Sequence, residues 1–253
     1  MGLTDYRNKH TEKEKARASD LMALLPDDSR GAVLDIGAGD GWLSLMLAER
    51  FDKVTVLDLK KPSIEHPRIQ CVKGDATKLD FGKDEFDLVF CVEVIEHIPS
   101  KQLIKACSEL ERVAKKYILI GVPFRQDIRV GRTKCSTCGK RNPPWGNVNS
   151  FDEHRLKQLF SLCDAQEISF VGEEKECTNA LSEFLMDFAG NPYGAYDQEE
   201  LCIHCGAKLK EPPQRNILQK IATKLAFYIK NIQQPFHRPH SIWIHILFEK
   251  RKA

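Results

Sequence analysis

The sequence predicts an α/β protein: a mostly parallel sheet with helices on both of its faces. Two observations lead there. From Gly31 onward, short apolar runs alternate with stretches of helical period, the rhythm produced by parallel strands joined through crossover helices. The rhythm pauses twice, at irregular stretches that each hold a CxxC pair, and resumes after each pause, so these stretches read as insertions. A length of 253 residues suits one large α/β domain, or a medium domain with an elaborate insertion.

The elements follow in order. Residues 4–25 bring Leu21, Met22, Leu24 and Leu25 to helical spacing after a polar first half and stop at Pro26, which predicts a leading helix inside an N-terminal segment 1–30. The core over 31–124 runs AVLDIG, a helix through WLSLMLAERF, VTVLDL, IQCVKGD, FDLVFCVEV, a helix through KQLIKACSELERVA, and YILIGVPF. Residues 125–150 form the first irregular stretch, with NPPW at 142–145 read as a turn. A core helix (DEHRLKQLFSLCDA) and strand (QEISFVG) occupy 151–172. The second irregular stretch and the helix NILQKIATKLAFYIKNI fill 173–240, and SIWIHILFEK in 241–253 closes the sheet.

Formal net charge is +2, which by itself implies no particular partner. No apolar run approaches the roughly 18 residues of a membrane span, and the N-terminus is charged where a signal peptide needs a hydrophobic stretch, so the expected compartment is cytoplasmic. Of the nine cysteines, Cys71, Cys91, Cys107 and Cys163 stand singly in apolar or helical segments and read as small buried thiols. The two CxxC pairs are organised, and in a reducing compartment such pairs bind metal more often than they form disulfides. Arg129, Arg132, Lys134, Lys140 and Arg141 crowd the first pair with Asp127 alone nearby. This cluster has two readings, a solvated surface or a contact for phosphate or an anionic sugar.

The segment LDIGAGDGWLS ends a strand at Asp35 and sets Gly37, Gly39 and Gly41 in the turn before a helix. Glycines let the backbone approach a ligand closely, and the helix start offers unpaired N–H groups, so a nucleotide-like ligand fits there. Asp58 ends the second strand, where a carboxylate can bind ribose hydroxyls, and VKGDA presents Asp75 at the end of the third. With LDIGAGDG, Asp58, the GDA turn at 74–76 and FDLVFCVEVIEHI in that order, the chain resembles the class I S-adenosylmethionine-dependent methyltransferases over about Gly31 to Gly172 plus the last strand. The resemblance implies a Rossmann-like, mostly parallel seven-stranded sheet. It also implies that Gly37 and Gly39 face the amino acid part of the cofactor, Asp58 the ribose, and Asp75 with Ala76 the adenine, with Asp35 a further cofactor-binding residue at the strand end.

Glu93, Glu96 and His97 in VEVIEHI share one face if the chain turns helical after the strand. Two carboxylates and an imidazole suit Mg or another divalent ion that would lower the pKa of a substrate hydroxyl. The ExxEH pattern is similar to that of the metal-dependent ubiquinone-pathway O-methyltransferases and of the small-RNA terminal 2′-O-methyltransferases. Asn147 and His154 are weak candidates for a further ligand. Without a metal, the trio reads as a hydrogen-bonded cluster shaping the pocket, with His97 either a base or a polar wall residue.

Cys135 with Cys138 and Cys202 with Cys205 each form a CxxCG knuckle. Four such thiolates make a closed tetrahedral zinc site of the structural kind, and the ion would tie the two insertions into a lid. His204 reads as a bystander. Over 217–233, Ile217, Leu218, Ile221, Leu225, Tyr228, Ile229 and Ile232 form an apolar face; the expectation is that it packs on the lid, with a membrane surface as the other reading.

Three functions compete. The favoured one is methylation, most simply at oxygen, of a small molecule or glycan; the second is an RNA or protein methyltransferase whose basic zinc module grips the polymer; the third is a cofactor-binding protein without catalysis. An ordinary aromatic content and low net charge argue against a dedicated nucleic-acid module. The acceptor and the oligomeric state are left open by the sequence.

Overall fold

A computed structural model describes residues 9–251. The elements are α1 (Glu12–Ala23), β1 (Ala32–Ile36), α2 (Trp42–Ala48), β2 (Lys53–Asp58), β3 (Ile69–Lys73), β4 (Phe86–Val92), α3 (Ser100–Val113), β5 (Ala114–Pro123), β6 (Thr133–Lys134) and β7 (Arg141–Asn142). They continue with α4 (Glu153–Leu159), β8 (Cys163–Val171), α5 (Ala180–Phe188), α6 (Ile217–Gln233) and β9 (Trp243–Lys250). The described residues form two compact units, one of residues 9–124, 151–172 and 241–251, the other of 125–150 and 173–240.

The first unit is a seven-stranded sheet of order β3-β2-β1-β4-β5-β9-β8. The first five strands in that order are parallel, and β9 runs antiparallel to both β5 and β8. The mostly parallel sheet expected from the sequence is therefore present. Alternation along each strand feeds two cores. Leu34, Ile36, Val89, Ile118, Ile246 and Phe248 face α3 and α4, whereas Val33, Val54, Val56, Phe90 and Leu119 lie with Leu21 of α1, Leu24 at its C-terminal cap and Leu47 of α2. In α3, Leu103, Ala106, Cys107, Leu110 and Val113 are buried at helical spacing, the face that the periodicity of KQLIKACSELERV requires.

The leading helix is shorter than its sequence expectation over 4–25. It begins at Thr11, whose hydroxyl accepts from the Glu14 N–H while Glu14 returns a bond to the Thr11 N–H, and it ends at Ala23. Residues 4–8 of that expectation lie outside the described residues.

The crossings into the second unit cluster at one edge of the sheet. Phe124 follows β5 and bridges Phe151, the Phe124 N–H donates to the Ile242 carbonyl, and the Ile242 N–H donates to the Val171 carbonyl. Each inserted segment therefore leaves and rejoins the sheet where its parallel strands end.

The second unit contains the β6–β7 hairpin and the α5–α6 pair, in which the Ser182 hydroxyl donates to the Ala226 carbonyl. A cavity of about 260 Å³ in this unit is walled in part by Arg129, Arg132, Met186, Tyr193 and Phe227. The apolar face expected to pack in α6 does not. Ala222, Thr223 and Ala226 are the buried residues, while Ile217, Leu218, Ile221, Leu225, Tyr228 and Ile232 are exposed. Small residues permit the close approach to α5, so the bulky face is the one left outward. Among the described residues, no helix is long and apolar enough to cross a membrane.

Candidate functional site

The strand order reverses between β1 and β4, and the glycine turn lies there at the carboxyl end of β1. Gly37 (φ +86°) and Gly41 (φ +88°) adopt the left-handed region, and a Cβ on Gly37 would stand 2.3 Å from Val94 Cγ2. The turn is thus pressed against the segment that follows β4. Gly39 also has positive φ, and among the described residues nothing approaches within 4 Å of where its Cβ would be, so the middle of the turn is open there. The N–H that begins α2, on Trp42, is taken by Asp40 Oδ1 at 3.1 Å.

Asp35 sits beneath the turn, 2% exposed, where Ser44 Oγ of α2 donates to its Oδ2 at 2.5 Å. Burial pushes its carboxyl up to about 7; the Ser44 bond opposes this, and the charge of Asp58 adds to it. Asp35 therefore positions the turn from below and has little surface to offer a ligand. Asp58 ends β2 half-buried and accepts from the Lys60 N–H at 3.3 Å. Asp75 is exposed in the turn after β3, with Oδ1 accepting from the Thr77 N–H at 2.8 Å, and Ala76 beside it is buried. The open Gly39 turn, the carboxylate at the end of β2 and the apolar wall at Ala76 lie at the ends of β1, β2 and β3, a donor set suited to an amino acid group, a ribose and a base.

The trio Glu93, Glu96 and His97 departs from expectation. The chain after Val92 is a turn: Glu93 takes φ +56°, and residues 95–97 never form a helix, so the shared face does not exist. Glu96 is buried at 1% exposure and its carboxyl is pushed up by burial and by Glu93, whereas His97 is exposed. Glu93 instead meets residues that its sequence neighbourhood did not indicate. Arg17 Nη1 of α1 lies 3.1 Å from Glu93 Oε2, and the same guanidinium is 5.1 Å from the centre of the Trp243 ring. Burial raises the Glu93 carboxyl, opposed by the Arg17 charge and by a hydrogen bond from Trp243; among the described residues its buried Oε1 has no hydrogen-bond partner. Among the described residues, the trio is not a converging metal-ligand set.

Behind Trp243 on β9 lies His245, fully buried, with Nδ1 2.6 Å from Asp20 Oδ2, while Ser169 Oγ of β8 donates to Asp20 Oδ1 at 2.6 Å. Burial lowers the His245 pKa against the pull of Asp20. Arg17 and Asp20, one helical turn apart, thus carry a polar column along this face of the sheet. The polar half of the leading helix was the available signal in the sequence, but not its partners.

In the second unit the sulfurs of Cys135, Cys138, Cys202 and Cys205 all lie within 4.8 Å of one another. Cys135 Sγ is 3.7 Å from Cys205 Sγ, and Cys138 Sγ is 3.6 Å from Cys202 Sγ, far beyond a disulfide. A zinc–sulfur bond of about 2.3 Å sets the edge of a regular tetrahedron at about 3.8 Å, so the thiols fit zinc. The two knuckles repeat one geometry. Gly139 N–H donates to the Cys135 carbonyl and Gly206 N–H to the Cys202 carbonyl, with φ of +71° and +70° at the two glycines. The Cys138 N–H, with that of Thr137, lowers the Cys135 thiol to about 6. Cys202 is also lowered; desolvation opposes this, and the N–H groups of His204 and Cys205 favour it. Cys205 is pushed up to about 12: the Ala207 N–H favours its thiolate, but desolvation and the neighbouring thiols outweigh it. A thiolate at Cys205 beside the others thus calls for a cation.

His204 lies outside the ligand set, as expected, and its Nε2 lies 3.0 Å from the Arg141 carbonyl. The basic cluster is largely neutralised: Arg129 pairs with Asp127, Arg132 with Glu183 and Asp187, and Arg141 with Asp187, leaving Lys134 and Lys140 exposed. Asn147, the weak candidate ligand, is buried and donates to Gln126 Oε1.

Residues 33–117 match the family described as a methyltransferase domain. The chain carries a class I S-adenosylmethionine-dependent methyltransferase domain. Among curated relatives, the ubiquinone biosynthesis O-methyltransferase of Idiomarina loihiensis is 37% identical over 89 residues, 30% of this chain and 36% of that protein. Its counterpart from Neisseria meningitidis serogroup A is 22% identical over 178 residues, 55% of this chain and 74% of that protein. The matches to the first of these relatives thus span little more than a third of their own length. Among solved structures, the N-methyltransferase NodS of Bradyrhizobium japonicum, in complex with S-adenosyl-L-homocysteine, aligns at a TM-score of 0.53 and 14% identity, over 98% of this chain and 92% of that one. The [4+2]-cyclase SpnF aligns at 0.52 and 15% identity, over 94% and 81% of the two chains. The methyltransferase domain therefore shares its fold with proteins of different chemistry, and its function must be argued from the site.

Proposed function

We propose that the protein transfers a methyl group from S-adenosylmethionine to an oxygen of a small molecule or glycan, and that zinc holds its second unit together. The observation that carries the reading is the open Gly39 turn at the strand-order reversal, flanked by Asp58 and by Asp75 with Ala76. Bound there, the cofactor supplies a methyl group on a sulfonium, whose thioether departs neutral.

The residues of this chain then bind, orient and take up a proton. Gly37 and Gly39 let the backbone approach the amino acid part, Asp58 accepts from the ribose hydroxyls, and Ala76 walls the adenine with Asp75 at its edge. As the acceptor oxygen gains the methyl it loses its proton, and Glu93 Oε1, buried and without a hydrogen-bond partner among the described residues, is the candidate to receive it. Burial strengthens this carboxylate as a base while Arg17 and Trp243 hold its other side. Orientation and exclusion of water contribute the rest. Cys135, Cys138, Cys202 and Cys205 would fill all four positions of a zinc ion, leaving none for chemistry. Both inserted segments leave the sheet at its carboxyl edge, which supports a role for the zinc-tied unit as a lid. Ubiquinone biosynthesis O-methyltransferases among the relatives are consistent with an oxygen acceptor on a small molecule. The pairing of Arg129, Arg132 and Arg141 with carboxylates weakens the alternative of an RNA or protein acceptor.

Gly39→Arg fills the open space of the turn, and calorimetry should find S-adenosylmethionine binding weakened by at least about a hundredfold, some 3 kcal/mol, with zinc content unchanged. Unaltered binding would remove the turn from the site. Labelled methyl transferred in a cell extract should appear in small-molecule or glycan fractions; label that nuclease or protease releases would replace the proposed acceptor by a polymer.

A further inference from the structure

We infer that α6 is a docking face that seats the protein on a membrane surface containing anionic phospholipid. The helix buries its small side, Ala222, Thr223 and Ala226, and turns outward Ile217 at 75% exposure, Tyr228 at 66%, Ile232 at 55%, Ile221 at 49% and Leu225 at 47%. At about 100° per residue these five fall within one quarter of the helix circumference, with Lys220 and Lys224 beside them along one border. Phe236, just beyond the helix, is 87% exposed. An outward apolar stripe of this length is a surface for something.

Charge selects the occupant. From Pro212 to Phe248 the chain contains no Asp or Glu, whereas Arg215, Lys220, Lys224, Lys230 and Arg238 all fall within it. A second copy docked face to face would bring these cations against themselves with no acidic residue of the segment to meet them. An anionic lipid surface offers the complement to both parts at once, acyl chains for the isoleucines and phosphates for the lysines. The helix is too short and too charged to span a bilayer, so it would lie in the plane of the interface.

The test is independent of methyl transfer. The full-length, zinc-loaded protein is sedimented with vesicles of phosphatidylcholine alone and with vesicles of equal parts phosphatidylcholine and phosphatidylglycerol. The wild type should bind the anionic vesicles at least about tenfold more tightly. The double variant Ile221→Glu/Leu225→Glu, at exposed positions that should leave the melting temperature unchanged, should lose binding to both by at least about tenfold. Lys220→Gln/Lys224→Gln should weaken binding to anionic vesicles alone, by on the order of tenfold. A wild type that stays in the supernatant with both vesicles overturns the inference, as does a Glu double variant that binds undiminished. If light scattering instead finds a dimer that the Glu variant disperses, with no vesicle binding, the face belongs to a second copy.

Discussion

In the first unit, Val33, Leu34, Val89, Phe90 and Ile118 are fully buried on the two sides of one sheet. Around the thiols of the second, the buried apolar set comes down to Cys135, Cys202 and Leu209, with Tyr196 and Ala207 packed against them. Beyond the small α5–α6 contact at Ala222 and Ala226, ion pairs contribute to the order of the second unit: Arg129, Arg132 and Arg141 are laced to Asp127, Glu183 and Asp187. The difference teaches that one chain can draw on two sources of order. A parallel sheet excludes water from both faces and is stabilised by apolar area; polar loops with little to bury need a cation that gathers distant ligands.

Removing the metal should break that comparison most strongly. If zinc is bound as proposed, mass spectrometry should find one per chain, and Cys202→Ser or extended chelation should abolish it, remove on the order of 10 kcal/mol from the order of the second unit, and open 125–150 and 173–240 to proteolysis. The sheet should keep its own melting transition. A zinc-free protein that resists protease as before would show that the second unit has another source of stability.

A smaller effect is expected from the converse change. Phe90→Ala leaves a cavity in the core between the sheet and helices α1 and α2 and should cost about 3–5 kcal/mol, read as a fall in the melting temperature of the first unit with zinc content unchanged. Loss of zinc in step with melting would mean that the two units do not draw on separate sources.

The smallest effect sharpens the apolar rule at an acidic exception, Asp35 under the glycine turn. Asp35 titrates near 7 folded and near 3.8 as a free side chain, so the folded protein holds a proton there that the unfolded chain has released. Stability therefore falls as pH rises from about 4 to about 7 on account of this group, and does not change further above that. Asp35→Asn keeps an acceptor for Ser44 and removes the penalty. Its melting temperature should gain on the wild type as pH rises from 5 to 8, and a gap independent of pH would contradict the assignment.

The alternation that made the sheet legible works because strands buried on both faces must be apolar nearly throughout, as in AVLDI and FDLVF. The two CxxCG knuckles were legible because the spacing and the glycine at positive φ are local requirements of the turn. The shared face of Glu93, Glu96 and His97 depended on the chain turning helical after β4, and that is decided elsewhere: VEVIEHI has helical spacing, but Glu93 is held at φ +56° by its N–H bond to the Gly121 carbonyl, and Glu93 is paired to Arg17, contacts from outside the segment. Arg17 itself carried no signal beyond the polarity of its helix.

What the sequence by itself determined is therefore whatever depends on near neighbours along the chain: the periods of strand and helix, the glycine turn, and the pairs of thiols. What only the tertiary structure decided is which face meets which partner. Asp20 meets Ser169 and His245 across 149 and 225 residues, and α6 buries alanines while its isoleucines face outward. The physical reason is that a pattern sets the shape and polarity of each face, whereas its burial depends on what the rest of the chain brings to it.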